Sequence, residues 1–183
     1  MWWIIAIAGA LFVGSKALGQ TESAQLDPYF RWDDLIKKYA DKYDVPWRWM
    51  KAVMMNESNL GRAKSVAYGI ANPLDIQGSK SSDGKSWGLM QLTLNTARQF
   101  ESTTTENALN DPEISVRLGA KYLNYLIKLK GIRNREAVIR SYNGGPGYLT
   151  TVAGVRDTPV YYSRFLENLR YVLERQPGDE LET

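Results

Sequence analysis

A series of helix-start signals divides the chain into helix-length segments and constrains its fold more than any other feature. A small polar side chain accepts hydrogen bonds from the exposed N–H groups of a first helical turn, and proline suits that turn because it lacks an N–H. Such signals stand at Asp27-Pro28, Asp44-Val45-Pro46, Asn110-Asp111-Pro112-Glu113, Asn134 and Thr158-Pro159. Between them the sequence shows no convincing alternation of apolar and polar residues, the pattern that indicates a strand. The signals predict a small all-α domain.

Apolar spacing and glycine stops set the predicted extents of these helices. The first covers Tyr29–Tyr43, the second runs from Pro46 to Ser58, and the fourth ends at Gly144-Gly145. The third and the last, which runs from Thr158 to Arg175, carry apolar stripes: Leu118, Tyr122, Leu126 and Leu129, then Tyr162, Phe165, Leu169 and Val172. The stretch from Gly61 to Trp87 reads as one long loop, and a loop of that length in a compact domain is usually functional or disordered.

The N-terminal segment is strongly apolar, and its first charged side chain is Lys16. A helix over residues 1–18 would be about 27 Å long, close to the roughly 30 Å apolar thickness of a bilayer. A cleaved export signal is the alternative, but it normally opens with a basic region that this chain lacks. We therefore expect residues 1–19 to form a single hydrophobic helix, an anchor in preference to a signal, ahead of one folded domain over residues 20–183.

The chain contains no cysteine and no histidine. The absence of cysteine excludes disulfides, thiol nucleophiles, iron–sulfur clusters and thiolate zinc sites. The absence of histidine excludes a Ser-His-Asp triad and removes the commonest general base. Acid–base chemistry in this chain must rest on Asp, Glu, Lys or Tyr, and the carboxylates are the first candidates.

The charge balance is mildly basic, with 23 Lys and Arg against 20 Asp and Glu and a net charge of +3. The basic residues occur in short groups, such as Lys37-Lys38 and residues 128–130 and 133–135, on predicted helix faces. Nucleic-acid binding proteins gather such charge in a patch or stripe. We therefore expect no nucleic-acid partner, and the basic excess suits a membrane surface or an acidic polysaccharide equally well.

Glu57 ends an apolar helix, next to Val53, Met54 and Met55 in the sequence. Burial disfavours a charged carboxylate and raises its pKa, so a carboxyl group in this setting can donate a proton near neutral pH. The alternative is a helix-end carboxylate paired with a Lys or Arg, and Glu57 taken alone favours that alternative.

The order of three short motifs along the chain favours the proton-donating role of Glu57 over the ion-paired one. They are Glu57-Ser58, then Gly88-Leu89-Met90-Gln91, then SYNGGPG over residues 141–147. In this order they resemble the soluble lytic transglycosylase family, which has a lysozyme-like fold and is related to goose-type lysozymes. The segment LGAKYL over residues 118–123 and TPVYYSRFL over residues 158–166 resemble later helices of that family. The resemblance covers roughly Pro28 to Arg175 and indicates a lytic transglycosylase domain within residues 20–183.

The resemblance implies cleavage of the β-1,4 bond between N-acetylmuramic acid and N-acetylglucosamine in bacterial peptidoglycan. In such enzymes one glutamate protonates the glycosidic oxygen and then removes a proton from the muramyl C6 hydroxyl, which closes a 1,6-anhydro ring. The substrate's own acetamido group can stabilise the cationic centre, so the reaction departs from the usual pair of carboxylates. It needs neither metal nor cofactor.

The same resemblance implies a role for each residue that matches a family motif. Glu57 takes the acid/base role, and the positions expected at the substrate are Ser58, Gln91, Thr93, Tyr142, Asn143 and Tyr161. Gln91 would hydrogen-bond an acetamido or hydroxyl group, and the Tyr142 phenol would point at Glu57 or at the sugar. Ser58 is expected to shape the helix end more than to touch sugar, and Met90 to pack in the core.

The sequence also departs from the family pattern, because the stretch between Glu57-Ser58 and residues 88–91 is long and Thr93 stands where methionine is common. Asp83 lies at nearly the spacing of a goose-type carboxylate. It could activate a water across the sugar from Glu57, as an inverting hydrolase requires, with Thr93 helping to hold that water. A lysozyme-type hydrolase therefore stays open as an alternative, and a non-catalytic glycan-binding module is a weaker one.

The expected location is a membrane-anchored enzyme that acts on the periplasmic cell wall. Lys16 conflicts with this location. Positive charge after an apolar span favours the cytoplasmic side of the membrane, whereas the domain that follows would have to reach the periplasm. A bacteriophage particle that carries its enzyme to the wall would remove this difficulty, so a larger envelope or virion assembly is a further expectation.

Overall fold

A computed structural model of the chain describes residues 27, 29–61, 80–81, 84–147 and 158–178. The chain divides into two compact units, residues 1–32 and 33–183. In the first unit, Asp27 opens a turn: its backbone carbonyl accepts from Phe30 N at 2.9 Å and its carboxylate from Tyr29 N at 2.8 Å. The predicted helix start at Asp27-Pro28 is therefore wrong, because the Asp27 side chain closes a turn and the first helix among the described residues begins at Asp33.

The described part of the second unit is built mainly from helices, as the sequence predicts. In chain order its elements are α1 (Asp33–Lys42), α2 (Trp47–Ser58), β1 (Ser86–Trp87), β2 (Leu92–Thr93), α3 (Leu94–Arg98), α4 (Glu106–Leu109), α5 (Pro112–Lys130), α6 (Arg135–Gly144) and α7 (Thr158–Arg175). The two strands pair antiparallel, Ser86 with Thr93 and Trp87 with Leu92. The sequence does not predict this hairpin, because strands of two residues are too short to show alternation.

Side-chain caps fix the starts of the later helices where the sequence places them. Asp111 accepts from Ile114 N at 3.0 Å at the start of α5, and Asn134 accepts from Ala137 N at 3.3 Å at the start of α6. Gly145, with φ 91°, ends α6. The short helices α3 and α4 begin at Thr93 and Thr105 caps and were not predicted, since helices of this length carry too little apolar periodicity.

The core of the unit lies around α2, which packs most extensively against α7. Met50, Val53 and Met54 of α2 are fully buried, and α7 contributes Phe165 and Val172. The predicted stripe of α5 is buried at its first three positions, but Leu129 is 50% exposed because the last turn of α5 extends beyond the core. Tyr161, not Tyr162, begins the buried stripe of α7.

A buried polar cluster ties the far end of α7 to α1 and α2. The ammonium of Lys51 contacts Asp33 Oδ1 at 2.5 Å and Gln176 Oε1 at 2.8 Å, and Gln176 Nε2 donates to Asp33 Oδ2 at 2.6 Å. Burial lowers the pKa of Lys51 to about 8, and the Asp33 carboxylate opposes that change. A buried charge is tolerated when it is paired, as Lys51 is here. Because the cluster joins Gln176, directly after α7, to Asp33 of α1 and Lys51 of α2, it holds the end of α7 against both helices.

Several predictions concern residues that the structure does not describe. Outside the described residues lie the predicted N-terminal helix over residues 1–19 and most of the stretch from Gly61 to Trp87, including Asp83. Among the helices that the structure describes, none has the length and apolar character needed to cross a membrane.

Candidate active site

Glu57 lies in the last turn of α2, where the chain leaves the helix through an unusual turn. Asn59 and Leu60 both adopt left-handed backbone conformations, with φ of 49° and 57°, and Asn59 N donates to Met55 O at 3.0 Å. The turn ends the helix directly after Ser58, so the Glu57 carboxyl group stands at the end of the buried helix. Its side chain is half-buried.

The electrostatic setting of Glu57 favours its protonated form more than that of an ordinary exposed carboxylate does. Burial raises the pKa of Glu57 to about 7, and a hydrogen bond from the Tyr161 hydroxyl, 2.6 Å from Glu57 Oε1, acts in the opposite direction. No salt bridge from a described Lys or Arg reaches this carboxylate. The structure therefore favours the protonatable carboxyl group over the ion-paired helix end.

Residues 88–91, which we call the GLMQ turn, connect β1 to β2. The turn brings Gly88 and Gln91 close together. Gly88 has φ 78°, and a Cβ added there would lie 1.9 Å from the Leu109 carbonyl oxygen. Gln91 has φ 46°, a strained value for a residue with a side chain, and its Nε2 donates to Gly88 O at 2.6 Å. The close backbone approach at Gly88 is thus to Leu109 in the protein itself.

Three buried hydroxyl groups from three different helices hold the GLMQ turn by its backbone. Ser58 Oγ of α2 donates to Leu89 O at 2.8 Å. Met90 N donates to Ser115 Oγ of α5 at 3.1 Å, and Tyr142 Oη of α6 donates to Met90 O at 2.8 Å. The three motifs found in the sequence are therefore joined by direct hydrogen bonds.

These bonds decide two of the predicted roles. Ser58 is buried, and its hydroxyl also accepts from Gly61 N at 3.1 Å, so it shapes the helix end, as expected, and does not line the cleft beside Glu57. The phenol of Tyr142 donates to Met90 O and not to Glu57. The orienting hydrogen bond on Glu57 comes from Tyr161, which the sequence placed only at the substrate.

A cleft of about 280 Å³ opens beside Glu57. Its lining is mostly polar and consists of Glu57, Ser81, Ser86, Gln91, Leu92, Thr93, Thr96, Tyr122, Tyr142 and Asn143. The structure therefore brings together most of the predicted substrate positions: Gln91, Thr93, Tyr142 and Asn143. Thr93 also caps α3, because its Oγ1 accepts from Thr96 N at 3.1 Å.

Several residues of the site escaped the sequence analysis. The hydroxyl groups of Ser81, Ser86 and Thr96 lie in short or irregular segments that carry no pattern. Asn56 Nδ2 donates to Tyr161 O at 3.0 Å, and Asn168 Nδ2 donates to Asn56 Oδ1 at 2.6 Å. The spacing of seven residues between Tyr161 and Asn168, which places them on one helix face, was a usable signal for this pair.

The site has no described cluster that suits a metal ion. Among the described residues, no three Asp or Glu side chains lie close enough together to hold one. The predicted second carboxylate, Asp83, lies outside those residues.

The described part of the domain is mainly helical, and its hydroxyl-lined cleft lies beside one protonatable glutamate. The chain belongs to the Transglycosylase SLT domain family, whose model matches residues 34–158. The resemblance read from the three motifs is thereby confirmed.

Curated relatives are named lytic murein transglycosylases. Membrane-bound lytic murein transglycosylase F of Aliivibrio fischeri is 36% identical over 124 residues, which are 65% of this chain and 21% of that protein. Membrane-bound lytic murein transglycosylase C of Yersinia enterocolitica is 31% identical over 131 residues, 64% of this chain and 32% of that protein. The chain thus spans between a fifth and a third of the length of these relatives.

A solved structure supports the fold independently. It is that of an inactive mutant of the lytic transglycosylase Slt from Pseudomonas aeruginosa, with a TM-score of 0.60 and 21% identity, and it covers 81% of this chain and 26% of that one. At this identity the likeness concerns the fold alone.

Proposed function

We propose that this chain is a peptidoglycan lytic transglycosylase that cleaves the β-1,4 bond between N-acetylmuramic acid and N-acetylglucosamine. The observation that carries the proposal is the half-buried Glu57 carboxyl group, whose pKa burial raises to about 7, at the cleft formed with the GLMQ turn. Family membership and the names of the relatives support the same reaction.

Glu57 acts twice in the proposed mechanism. Protonated Glu57 gives its proton to the glycosidic oxygen, and the bond to the muramyl anomeric carbon breaks. The resulting carboxylate then takes the proton of the muramyl C6 hydroxyl, whose oxygen bonds to the anomeric carbon and closes the 1,6-anhydro ring. A pKa of about 7 suits both steps at neutral pH, since neither protonation state is costly to reach.

The intramolecular nucleophile explains why a single carboxyl group suffices. The C6 hydroxyl belongs to the sugar that reacts, so its attack has a high effective concentration without a residue that holds water. Gln91, Thr93 and Asn143 line the cleft, which supports the proposal that their side chains hydrogen-bond the hydroxyl and acetamido groups of the glycan.

The proposal includes the place of action. Both of these relatives are named as membrane-bound, and residues 1–15 of this chain carry no charged side chain. We infer that residues 1–18 attach the chain to a membrane and that the domain acts on the periplasmic wall, in a bacterial envelope or delivered by a virion. Intact-mass analysis of protein from its source tests the anchor, and a chain that begins near Gln20 contradicts it.

The products of the reaction test the proposed activity. The full chain is incubated with purified peptidoglycan, and the released muropeptides are analysed by mass spectrometry. We expect 1,6-anhydromuramyl ends, one water lighter than hydrolysed ends, and we expect Glu57→Gln to lower the rate by about 10²–10⁴-fold or more. Reducing muramic ends, together with inactivity of Asp83→Asn, would instead establish an inverting hydrolase.

A further inference from the structure

Tyr161 is held at both of its ends by two consecutive residues of α2. Its hydroxyl group donates to Glu57 Oε1 at 2.6 Å, and its backbone carbonyl accepts from Asn56 Nδ2 at 3.0 Å. Asn56 and Glu57 lie in the last turn of α2, and Tyr161 lies in the first turn of α7. The position of the Tyr161 hydroxyl relative to Glu57 therefore depends on the bond that Asn56 makes to the backbone.

Asn168 hydrogen-bonds the oxygen atom of the Asn56 side-chain amide. Its Nδ2 donates to Asn56 Oδ1 at 2.6 Å. Asn168 lies seven residues after Tyr161, almost two full turns, so both residues lie on the face of α7 that meets α2. The Asn56 amide thus bridges two turns of α7, and both asparagine side chains are half-buried.

The direction of these bonds fixes the orientation of Asn56. A side-chain amide has one oxygen that only accepts and one NH₂ group that only donates. Because Asn168 donates to the Asn56 oxygen, the Asn56 NH₂ group is left facing the Tyr161 carbonyl. The reverse orientation would bring two NH₂ groups together and two oxygens together, which are repulsive pairs.

We propose that Asn168 is a positioning residue for the acid/base group: through Asn56 it fixes the first turn of α7 and so the place of the Tyr161 hydroxyl against Glu57. The inference rests on the proposed function only in calling Glu57 the acid/base group. It assigns a role in the reaction to a residue that does not line the cleft. It also predicts that the effect of replacing Asn168 on the rate depends on the Tyr161 hydroxyl. A residue needed only for helix packing would not show that dependence.

A double-mutant cycle between Asn168 and Tyr161 tests the proposal. Asn168→Leu keeps the approximate shape but removes both hydrogen-bonding groups, and it is made in the wild-type chain and in Tyr161→Phe. Glu167→Leu is the matched control, because it introduces the same side chain at the neighbouring, exposed position of α7. Rates of anhydromuropeptide release are measured with the full chain, and the pKa of Glu57 is followed by NMR.

We expect Asn168→Leu to lower kcat by about tenfold with little change in KM, the effect of losing one hydrogen bond at the acid group. In the Tyr161→Phe background it should lower kcat by less than about twofold, because the hydroxyl that it positions is already absent. The pKa of Glu57 should rise in Asn168→Leu, since the Tyr161 hydroxyl bond favours the carboxylate. Glu167→Leu should leave all of these values unchanged.

Two outcomes overturn the inference. One is an equal loss of kcat in both backgrounds, and the other is unchanged kcat and unchanged Glu57 pKa in a folded Asn168→Leu. If that variant does not fold, Asn168→Asp, which keeps the size but cannot donate, takes its place in the same cycle. Wild-type chain that releases no anhydromuropeptide refutes the proposed function instead, and the NMR measurement then still decides the role of Asn168.

Discussion

The phenol of Tyr161 donates to Glu57 Oε1 across 2.6 Å, although 104 residues separate the two in the chain. Burial raises the pKa of Glu57 to about 7, and this hydrogen bond holds it below the value that burial alone would give. Tyr161 itself stays neutral, because burial raises its pKa well above 10. The pair leaves one carboxyl group that can change its protonation state near neutral pH.

Replacing Tyr161 by phenylalanine should shift the pH dependence of the reaction. Glu57 must be protonated to act as the acid, so activity falls as the pH rises through its pKa of about 7. Without the hydroxyl bond the pKa rises, and the alkaline limb of kcat/KM against pH should move to higher pH. The maximal rate should fall by about 10–100-fold, the value of a hydrogen bond to a charged group. An alkaline limb that stays in place would contradict the role given to Tyr161.

Glu57→Gln should stabilise the fold at alkaline pH while it removes activity. The folded-state pKa of about 7 exceeds the ordinary value of 4.5, so the folded chain binds more protons than the unfolded chain between these values. The wild-type free energy of unfolding therefore falls as the pH rises from 4.5 to 7 and stays low above it.

Glutamine does not titrate, so the advantage of Glu57→Gln over wild type should grow across that window to the order of 2 kcal/mol. Urea unfolding of both proteins at pH 5 and pH 8 measures it. A stability difference that is the same at both pH values would show that the Glu57 pKa is not raised.

Tyr142→Phe should act chiefly on stability. The substitution leaves the Met90 carbonyl without the bond that Tyr142 Oη makes at 2.8 Å, and an unsatisfied buried polar group costs about 1–3 kcal/mol. Glu57 keeps its bond from Tyr161, so the rate of wall cleavage should fall far less than in Glu57→Gln. Denaturant unfolding and turbidity clearing of cell walls measure the two effects, and a loss of rate equal to that of Glu57→Gln, at unchanged stability, would reverse this assignment.

Gly88→Ala should be severely destabilising, because the new methyl group would lie 1.9 Å from the Leu109 carbonyl oxygen. Gly131→Ala is its matched control: Gly131 has a similar φ of 85° against 78°, but nothing lies within 4 Å of its added Cβ. We expect a loss of about 1 kcal/mol at Gly131, from backbone strain alone, and of at least about 3 kcal/mol at Gly88. Thermal unfolding of both variants measures the difference, and equal losses would show that the approach to Leu109 is not restrictive.

Local chemistry explains what could be predicted from the sequence. Asp111 and Asn134 begin their helices because a short polar side chain can cap the first turn without help from distant residues. Glu57, Gln91 and Asn143 were found for a different reason, since short motifs in a fixed order identified the family. Where a local signal had two outcomes, as at Asp27, the sequence could not choose between a turn and a helix start.

The sequence by itself determined the helical class, the absence of histidine and cysteine chemistry, and the identity of Glu57 as the candidate acid. Only the tertiary structure decided which hydroxyl group meets which acceptor. The Tyr142 phenol was expected at Glu57 or at the sugar but bonds Met90, and Tyr161 meets Glu57 because α7 packs along α2. The physical reason is that a hydrogen bond needs its two atoms within about 3 Å, and the packing of distant helices sets such distances.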